Sequence, residues 1–525
     1  MKDKLIQIGR DSAWYLSANI AVALIGFAAF PMLTRLLGPS QYGVFSLINT
    51  AIVLGSPIFY VFLTSSTLRF YPVYEKDDRL DVFYSTVLHF LPHFLAICFC
   101  VLLPVASFVL PLGRYRSAIT VGVAVFALYT VFNVTQVLLR VRQESLRYSA
   151  MAIFTTFARY LVGVALVAWT EAGVAGPFWA WAGGLLIAIP LELVWLKTRK
   201  YFQWKLYSKG LFREFFHFGF VLIFVTFSVE IMTAADRYMV QIFKGSYQVG
   251  LYSAVYILVM TIENLMATFI MMGTVPVMMR VFEHDGKAAA EVLLGKITRY
   301  LLMMLTPSMV AAWVLREPLI RVVAGARYAP AEPAVLPLVI GVFLSILAWP
   351  TLQVFYMEKR TSLTLVPIGT AALSNILINL VLIPRYGFPG AAWATMISYA
   401  LYLVIAVVLS SRYMRWQFPW GASARIGLAS AVMGAGLWGM ERAGLSGPAG
   451  LLAMIAAGAL IYVVVILLVG GISRPERRFA MELVAKIPLV GRAVPARWHL
   501  EPKVDELFEI EEKEAERGGD EGAAE

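Results

Sequence analysis

Fourteen stretches of about 20 mostly apolar residues run along this 525-residue chain. They cover approximately residues 13–33, 41–63, 83–111, 119–139, 148–169, 176–196, 215–235, 249–272, 297–315, 333–356, 362–383, 389–411, 421–440 and 448–470. Stretches of this length cross a bilayer as helices, because a helix satisfies its own backbone donors and acceptors where no water can. The composition agrees: 60% of residues are hydrophobic and 15% charged, against roughly 45–50% and about 25% in globular chains. A soluble enzyme, a disordered hub and a secreted disulfide scaffold are excluded together. The two cysteines, Cys98 and Cys100, are two apart in an apolar helix and point to different faces, as packing residues do. The first stretch starts too polar and too late for a cleaved leader and lacks an A-x-A site, so it is expected to be a mature helix.

The net charge of +11 resembles a nucleic-acid binder's until it is mapped. Residues 501–525 hold eleven acids and three bases, which leaves a formal +19 on the first 500 residues, spread over short loops. Alternate loops carry 22 and 10 bases, a bias that places both termini in the cytoplasm and argues against nucleic acid as a partner. The outer loops are all shorter than about 20 residues, too short to carry an external active site, so no enzyme is expected. No phosphate loop, nucleophile elbow or zinc motif appears, and no cofactor is expected. His89 and His93 have the spacing of a metal pair but lack a third ligand nearby, so no metal is expected either.

The chain also repeats itself. Gly38, Gln41, Gly43 and Ser46 match Gly245, Gln248, Gly250 and Ser253 at a constant offset of 207. Gly173, Gly176, Trp179 and Ala180 match Gly387, Gly390, Trp393 and Ala394 at an offset of 214. The first pair joins helices 1–2 and 7–8, the second helices 5–6 and 11–12. Two six-helix blocks of like orientation follow, an arrangement in which transporters place substrate at the interface. Helices 13 and 14 lie outside the repeat.

The segment Phe30-Pro-Met-Leu-Thr-Arg-Leu-Leu-Gly-Pro-Ser-Gln-Tyr-Gly-Val-Phe-Ser46 resembles the first hairpin of the polysaccharide (Wzx-type, oligosaccharide-lipid) flippases, members of the multidrug/oligosaccharidyl-lipid/polysaccharide exporter superfamily. Asp236-Arg-Tyr-Met-Val-Gln-Ile-Phe-Lys-Gly with Val249-Gly-Leu-Tyr-Ser253, and Ile383-Pro-Arg-Tyr-Gly-Phe-Pro-Gly-Ala-Ala-Trp-Ala-Thr395, look like the family's helix 7–8 and 11–12 junctions. The likeness spans residues 10 to 415. It implies an all-α integral membrane fold of 14 helices, with two parallel six-helix lobes around a central cavity and two extra C-terminal helices. The expected units are an N-lobe over 1–200, a C-lobe over 201–415 and helices 13–14 over 416–472. A basic amphipathic interfacial segment follows over 473–500, then an acidic disordered tail over 501–525. It also implies movement of undecaprenyl-pyrophosphate-linked sugars across a bacterial or archaeal inner (plasma) membrane. Membrane lipids, a polysaccharide polymerase and other export proteins are the implied partners. The extra helices 13–14 are similar to those of the lipid II flippases and of the spore-cortex and polysaccharide-synthase-like members, and depart from the twelve-helix plan.

A charge in hydrocarbon costs about 2.5–3.5 kcal/mol on insertion scales, so one that persists faces a cavity or a partner. Arg159, about eleven residues into helix 5, is the foremost candidate to hold a pyrophosphate by paired hydrogen bonds; a structural ion pair or a snorkelling side chain is the alternative. Thr226, Glu230, Thr233 and Arg237 form one face of helix 7, which fits a cavity wall. Glu230, Glu263 and Asp236 are candidates to bind a coupling proton or sodium ion; Glu230 alternatively pairs with Arg237, and Asp236 alternatively caps a helix or neutralises Arg237. Arg35, Arg69, Arg140 and Arg142 sit at helix ends as cavity cations or as anchors, and Arg299 starts helix 9, where snorkelling is the better reading. Asn133 with Gln136, and Asn375 with Asn379, read as interhelical hydrogen-bonding faces. Pro31, Pro57, Pro92, Pro190, Pro307, Pro350 and Pro367 are expected to interrupt spans.

These readings point to a flippase for a lipid-linked oligosaccharide or polysaccharide repeat unit, working by alternating access. A lipid II carrier is the alternative on the same fold. A drug-cation exporter conflicts with a cationic cavity. A membrane glycosyltransferase or polymerase lacks convergent outer carboxylates, and a non-transporting export scaffold remains as a rival from another class.

Overall fold

The computed structural model describes residues 2–105 and 113–472. The segments expected to be amphipathic (473–500) and acidic (501–525) lie outside the described residues. Every regular element among the described residues is helical. The longer helices are α1 (Lys2–Lys76), α2 (Leu80–Ile97), α3 (Arg116–Val141), α4 (Ser145–Phe157), α5 (Gly163–Trp169), α6 (Gly176–Trp195), α7 (Lys209–Lys244) and α8 (Ser246–His284). They continue as α9 (Gly286–Val314), α10 (Val335–Leu347), α11 (Trp349–Met357), α12 (Leu365–Tyr386), α13 (Phe388–Ser410), α14 (Trp420–Arg442) and α15 (Gly447–Leu468). A π-helical turn, Ala158–Val162, welds α4 to α5 as one rod.

Eleven helical runs among the described residues are long and apolar enough to cross a membrane. The protein is a multi-pass membrane protein. The count falls below the fourteen expected stretches because Ala13–Lys76 forms one run and because α8 and α14 are not among the eleven. The outer faces of the rods are apolar: Leu452, Leu460 and Leu468 along α15 are 68%, 65% and 79% exposed, as lipid-facing side chains are. Pro31, Pro57, Pro92, Pro190 and Pro307 lie inside helices that run on through them. Pro350 and Pro367 instead fall in the first turns of α11 and α12, where a missing N–H costs nothing.

The matched glycines have matched geometry. Gly38 breaks α1 into two legs with φ 67 and ψ 170, and Gly245 separates α7 from α8 with φ 82 and ψ 173. Only glycine adopts such angles without strain. Five residues further on, Gly43 and Gly250 meet across the molecule. A Cβ on Gly43 would sit 2.0 Å from the carbonyl oxygen of Ser246, and one on Gly250 would sit 1.8 Å from that of Pro39. The 207-residue offset carries Pro39 onto Ser246, so each half makes the same contact on the other. Reciprocal contact of this kind is the signature of a two-fold relation.

The same end is further tied by the Tyr328 hydroxyl, which donates to the Thr34 carbonyl at 3.3 Å, while the Tyr328 ring meets Tyr42 edge-on. Toward the other end, α1's second leg meets α7 again: a Cβ on Gly219 would lie 2.3 Å from the Phe62 Cα, and Ser66 donates to the Phe215 carbonyl at 3.0 Å. Between these crossings, the Tyr238 hydroxyl of α7 donates to the Leu47 carbonyl of the leg at 3.1 Å.

Substituting Gly250→Ala overfills a backbone crossing, and overpacking costs about 1–3 kcal/mol. The thermal midpoint of the detergent-solubilised protein is expected to drop by several degrees. Gly183→Ala, whose Cβ meets nothing within 4 Å, is expected to leave it unchanged. Equal midpoints for the two variants would contradict the crossing.

Candidate functional site: two cationic chambers on one helix

Arg159 lies in the π turn of the α4–α5 rod and is half-buried. π turns inside α-helices occur frequently at functional sites. Its guanidinium sits over the Trp181 ring at 3.8 Å and over Tyr160 at 4.6 Å. One nitrogen donates to the Asn49 side-chain oxygen, and Nε is buried with no partner. It makes no ion pair among the described residues. A chamber of about 480 Å³ opens beside it, lined by Asn19, Tyr129, Asn133, Gln136 and Thr155 among others, and by Ile257, Leu258 and Thr261 of α8. The wall is therefore polar on three helices of the first half and is completed by a helix of the second.

Arg237 on α7 lines a second chamber of about 370 Å³ with Ser46, Asn49, Thr50, Glu230, Thr233 and Tyr256. It is 5% exposed. Its Nη1 donates to Thr50 Oγ1 at 3.3 Å, its carbon lies 4.5 Å from the Tyr256 ring centroid, and Nε has no partner. The chambers share Ile257 and Thr261. Arg159 and Arg237 thus approach from two sides and bond consecutive residues, Asn49 and Thr50, of α1's second leg. Each cation is held by neutral groups and aromatic faces, which position it without neutralising it. Glu230 shares the wall with Arg237 without an ion pair, and its Oε2 is buried and unpartnered. Beside this chamber lies an apolar groove of about 390 Å³ between α1's second leg, α7 and α12; it shares Thr50, Leu54 and Glu230 with the chamber.

Two candidate carboxylates lie deeper. Asp236 is fully buried; it accepts from the Tyr252 hydroxyl and from the Arg237 backbone N–H at 2.7 Å, and Tyr252 reaches Thr395 at 3.3 Å. It joins α7, α8 and α13 and does not pair with the Arg237 side chain. Glu263 is fully buried, accepts from Ser308 at 2.9 Å, and leaves Oε2 unpartnered.

The remaining sequence candidates lie elsewhere. Arg35 is exposed and donates to the Val322 carbonyl at 2.5 Å, clamping α1 to the segment after α9. Arg69 is exposed, 5.4 Å from the Phe218 ring centroid. Arg140 is exposed at the end of α3. Arg142 staples its turn, donating to the Leu196 carbonyl at 2.9 Å and pairing with Glu144 at 3.0 Å. Arg299 donates to the Gly471 carbonyl at 3.0 Å. None of these five lines either chamber. His89 and His93 stack on each other at 4.7 Å, with His89 also on Tyr207 at 4.4 Å, an aromatic cluster. Asn133 donates to the Tyr129 carbonyl, and Asn379 to Asn375, so both bonds stay within a helix.

Sequence reasoning passed over Asn49, Trp181 and Glu192. Glu192 on α6 is fully buried and accepts from Thr135 and, at 2.5 Å, from Gln136, a residue of the first chamber's wall. Its signal was a lone carboxylate inside an apolar run.

A family model described as polysaccharide biosynthesis protein matches residues 8–282, the part that contains both chambers. The chain belongs to this family. The polysaccharide biosynthesis chain has the fold of the exporter superfamily that its junction motifs resemble. It is similar to the lipid II flippase MurJ in an inward closed conformation, with a TM-score of 0.69 and 16% identity over 86% of this chain and 97% of that one. It is similar to a multidrug resistance MATE family transporter of the MOP superfamily in its inward-facing conformation, at a TM-score of 0.58 and 14% identity over 74% and 94%. The outward-facing conformation of a MATE family transporter gives 0.54 and 14% over 77% and 95%. No curated protein matches the sequence.

Gln136→Leu removes one donor from the buried Glu192 carboxylate, and an unmet buried acceptor costs about 1–3 kcal/mol. A lower thermal midpoint in detergent is expected, with the Asn133→Leu variant, which loses only an intrahelical bond, falling less. The reverse order would refute the role given to Gln136.

Proposed function

We propose that the chain is a flippase for a lipid-linked oligosaccharide or polysaccharide repeat unit, carrying the anionic head group between leaflets by alternating access. The observation that carries this reading is the pair of guanidiniums, Arg159 and Arg237, that face adjoining chambers, make no ion pair among the described residues and bond the consecutive residues Asn49 and Thr50. An isolated cation at this depth is costly; two that avoid carboxylates are suited to an anion that arrives and leaves. A pyrophosphate offers oxygens to both forks at once. The sugar meets the amides and hydroxyls of the first chamber. The apolar groove next to the second gives the polyprenyl tail a route that remains in hydrocarbon.

The proposed topology has fourteen crossings, obtained by taking the two legs of α1 separately and adding α8 and α14 to the apolar runs. Residues 1–200 and 201–415 act as two lobes with 416–472 appended, in the inner membrane, with both termini cytoplasmic. The Gly43–Gly250 crossing is then the outer seal and the Phe62–Gly219 contact the inner one. A proton or sodium ion resets the cycle at a carboxylate without a cation partner: Glu230 in the chamber wall, or Asp236 or Glu263 behind it. No covalent chemistry or cofactor enters. Hand-over of the glycan to a polymerase or other export proteins follows outside. Lipid II is the second reading, favoured by the likeness that covers 97% of the MurJ chain.

The test is reconstitution with fluorescent polyprenyl-pyrophosphate glycan and with lipid II, scoring each for leaflet exchange by quenching. Arg159→Lys and Arg237→Gln are expected to slow exchange about 10- to 100-fold, the value of a lost charge-assisted hydrogen bond at about 1.5–3 kcal/mol. Arg321→Ala, at an exposed ion pair with Glu317, is expected to match the unaltered protein. Full exchange in the doubly substituted protein would overturn the assignment of these residues. No exchange of either lipid under any imposed gradient would overturn the function.

A further inference from the structure

The two-fold relation between the halves fails at one matched pair of turns, those that precede α6 and α13. In the second half, the Gln248 side chain fills the turn that precedes α13: its Oε1 accepts the Phe388 N–H at 3.0 Å, and a Cβ on Gly387 would lie 2.3 Å from that oxygen. The matching turn of the first half has the same positive φ, at Gly173, and the matching glutamine, Gln41. There, a Cβ on Gly173 would meet nothing within 4 Å, and Gln41 makes no hydrogen bond to another described residue. The space that the glutamine plugs in one half is an open pocket of about 430 Å³ in the other. That volume lies within the range of small-molecule sites, about 300–1,000 Å³.

We propose that this pocket, lined by Gln41, Tyr115, Ser117, Glu171, Gly173 and Trp179, is a saccharide-binding subsite at the outer end of the bundle. The lining has the two components that a sugar needs. Trp179 and Tyr115 supply flat apolar rings for the C–H face of a pyranose, with polar edges of their own. Gln41 donates and accepts, Ser117 does both, and Glu171 accepts twice, which matches a ring of hydroxyls that are each donor and acceptor. The exposed Trp179 is not by itself diagnostic, since its repeat counterpart Trp393 is also exposed, at 44% against 54%. The difference is the unplugged pocket beside it. The choice of a glycan as ligand class and the outer placement rest on the function proposed above. The subsite would then take the glycan as it leaves the chambers.

The experiment uses free maltotriose and tri-N-acetylchitotriose, which have neither lipid nor phosphate, with the full-length protein in detergent. Saturation-transfer difference NMR is expected to report transfer to ring protons of at least one sugar. The signal is expected to fall at least fivefold in Trp179→Ala and in Gln41→Ala, and to persist in Trp393→Ala. If Trp179→Ala does not fold, Gln41→Ala at a half-buried position gives the same reading. No transfer from the unaltered protein to either sugar, or transfer undiminished by Gln41→Ala, would overturn the subsite. Sugar binding with no leaflet exchange of lipid-linked glycan would instead overturn the flippase reading and leave the subsite in place.

Discussion

The molecule is organised by a backbone crossing between its two halves. Gly43 and Gly250 let the start of α1's second leg and the start of α8 approach until peptide groups touch. Lipid gives helices no hydrophobic reason to associate, so close packing of small residues takes over that role. The Phe62–Gly219 contact repeats the device toward the opposite end. Between them, Asn49, Thr50 and Leu54 of the leg line the second chamber, and Arg237 and Tyr238 of α7 bond across to Thr50 and to the Leu47 carbonyl. The second chamber lies between these two crossings, and Ile257 and Thr261 of α8 join its wall to that of the first.

The electrostatics follow from that spacing. A guanidinium in hydrocarbon is ordinarily matched by a carboxylate, and a matched pair is inert toward a passing anion. Here the acids and bases are kept apart. Arg159 and Arg237 rest on aromatic rings and neutral oxygens, whereas Asp236 and Glu192 accept from hydroxyl, amide and backbone donors and Glu263 accepts from Ser308 through one oxygen. Asp236 and Arg237 are neighbours in sequence, yet the helix turns one into the core and the other into the chamber. Hydrogen bonds meet part of the cost of desolvating these groups, and neither arginine is neutralised by an ion pair among the described residues.

Symmetry and its breaking divide the work. The reciprocal glycine contact keeps the halves in register, so its two sides are alike. The turns at Gly173 and Gly387 are under no such constraint, and they differ: one is filled by a glutamine and one is open. Likewise only the first half carries the aromatic box around its arginine built from Tyr160 and Trp181, while Arg237 uses a tyrosine of the next helix.

The apolar stretches, the turn glycines and the one-sided polar face of α7 are readable without coordinates, because they depend on hydropathy and on the 3.6-residue period alone. Arg159 and Arg237 are also visible that way, since any charge in such a stretch stands out. Their partners are not: Arg159 finds Asn49 across 110 residues and Arg237 finds Thr50 across 187. Arg35, equally conspicuous in the chain, bonds a carbonyl 287 residues away and lies outside the chambers. Glu192 reads as an isolated acid until α3 supplies Thr135 and Gln136. Periodicity fixes which residues share a face of a helix, but the rotation of that face toward cavity, neighbour or lipid is set by how the rods pack, and that is decided only by contacts between distant parts of the chain.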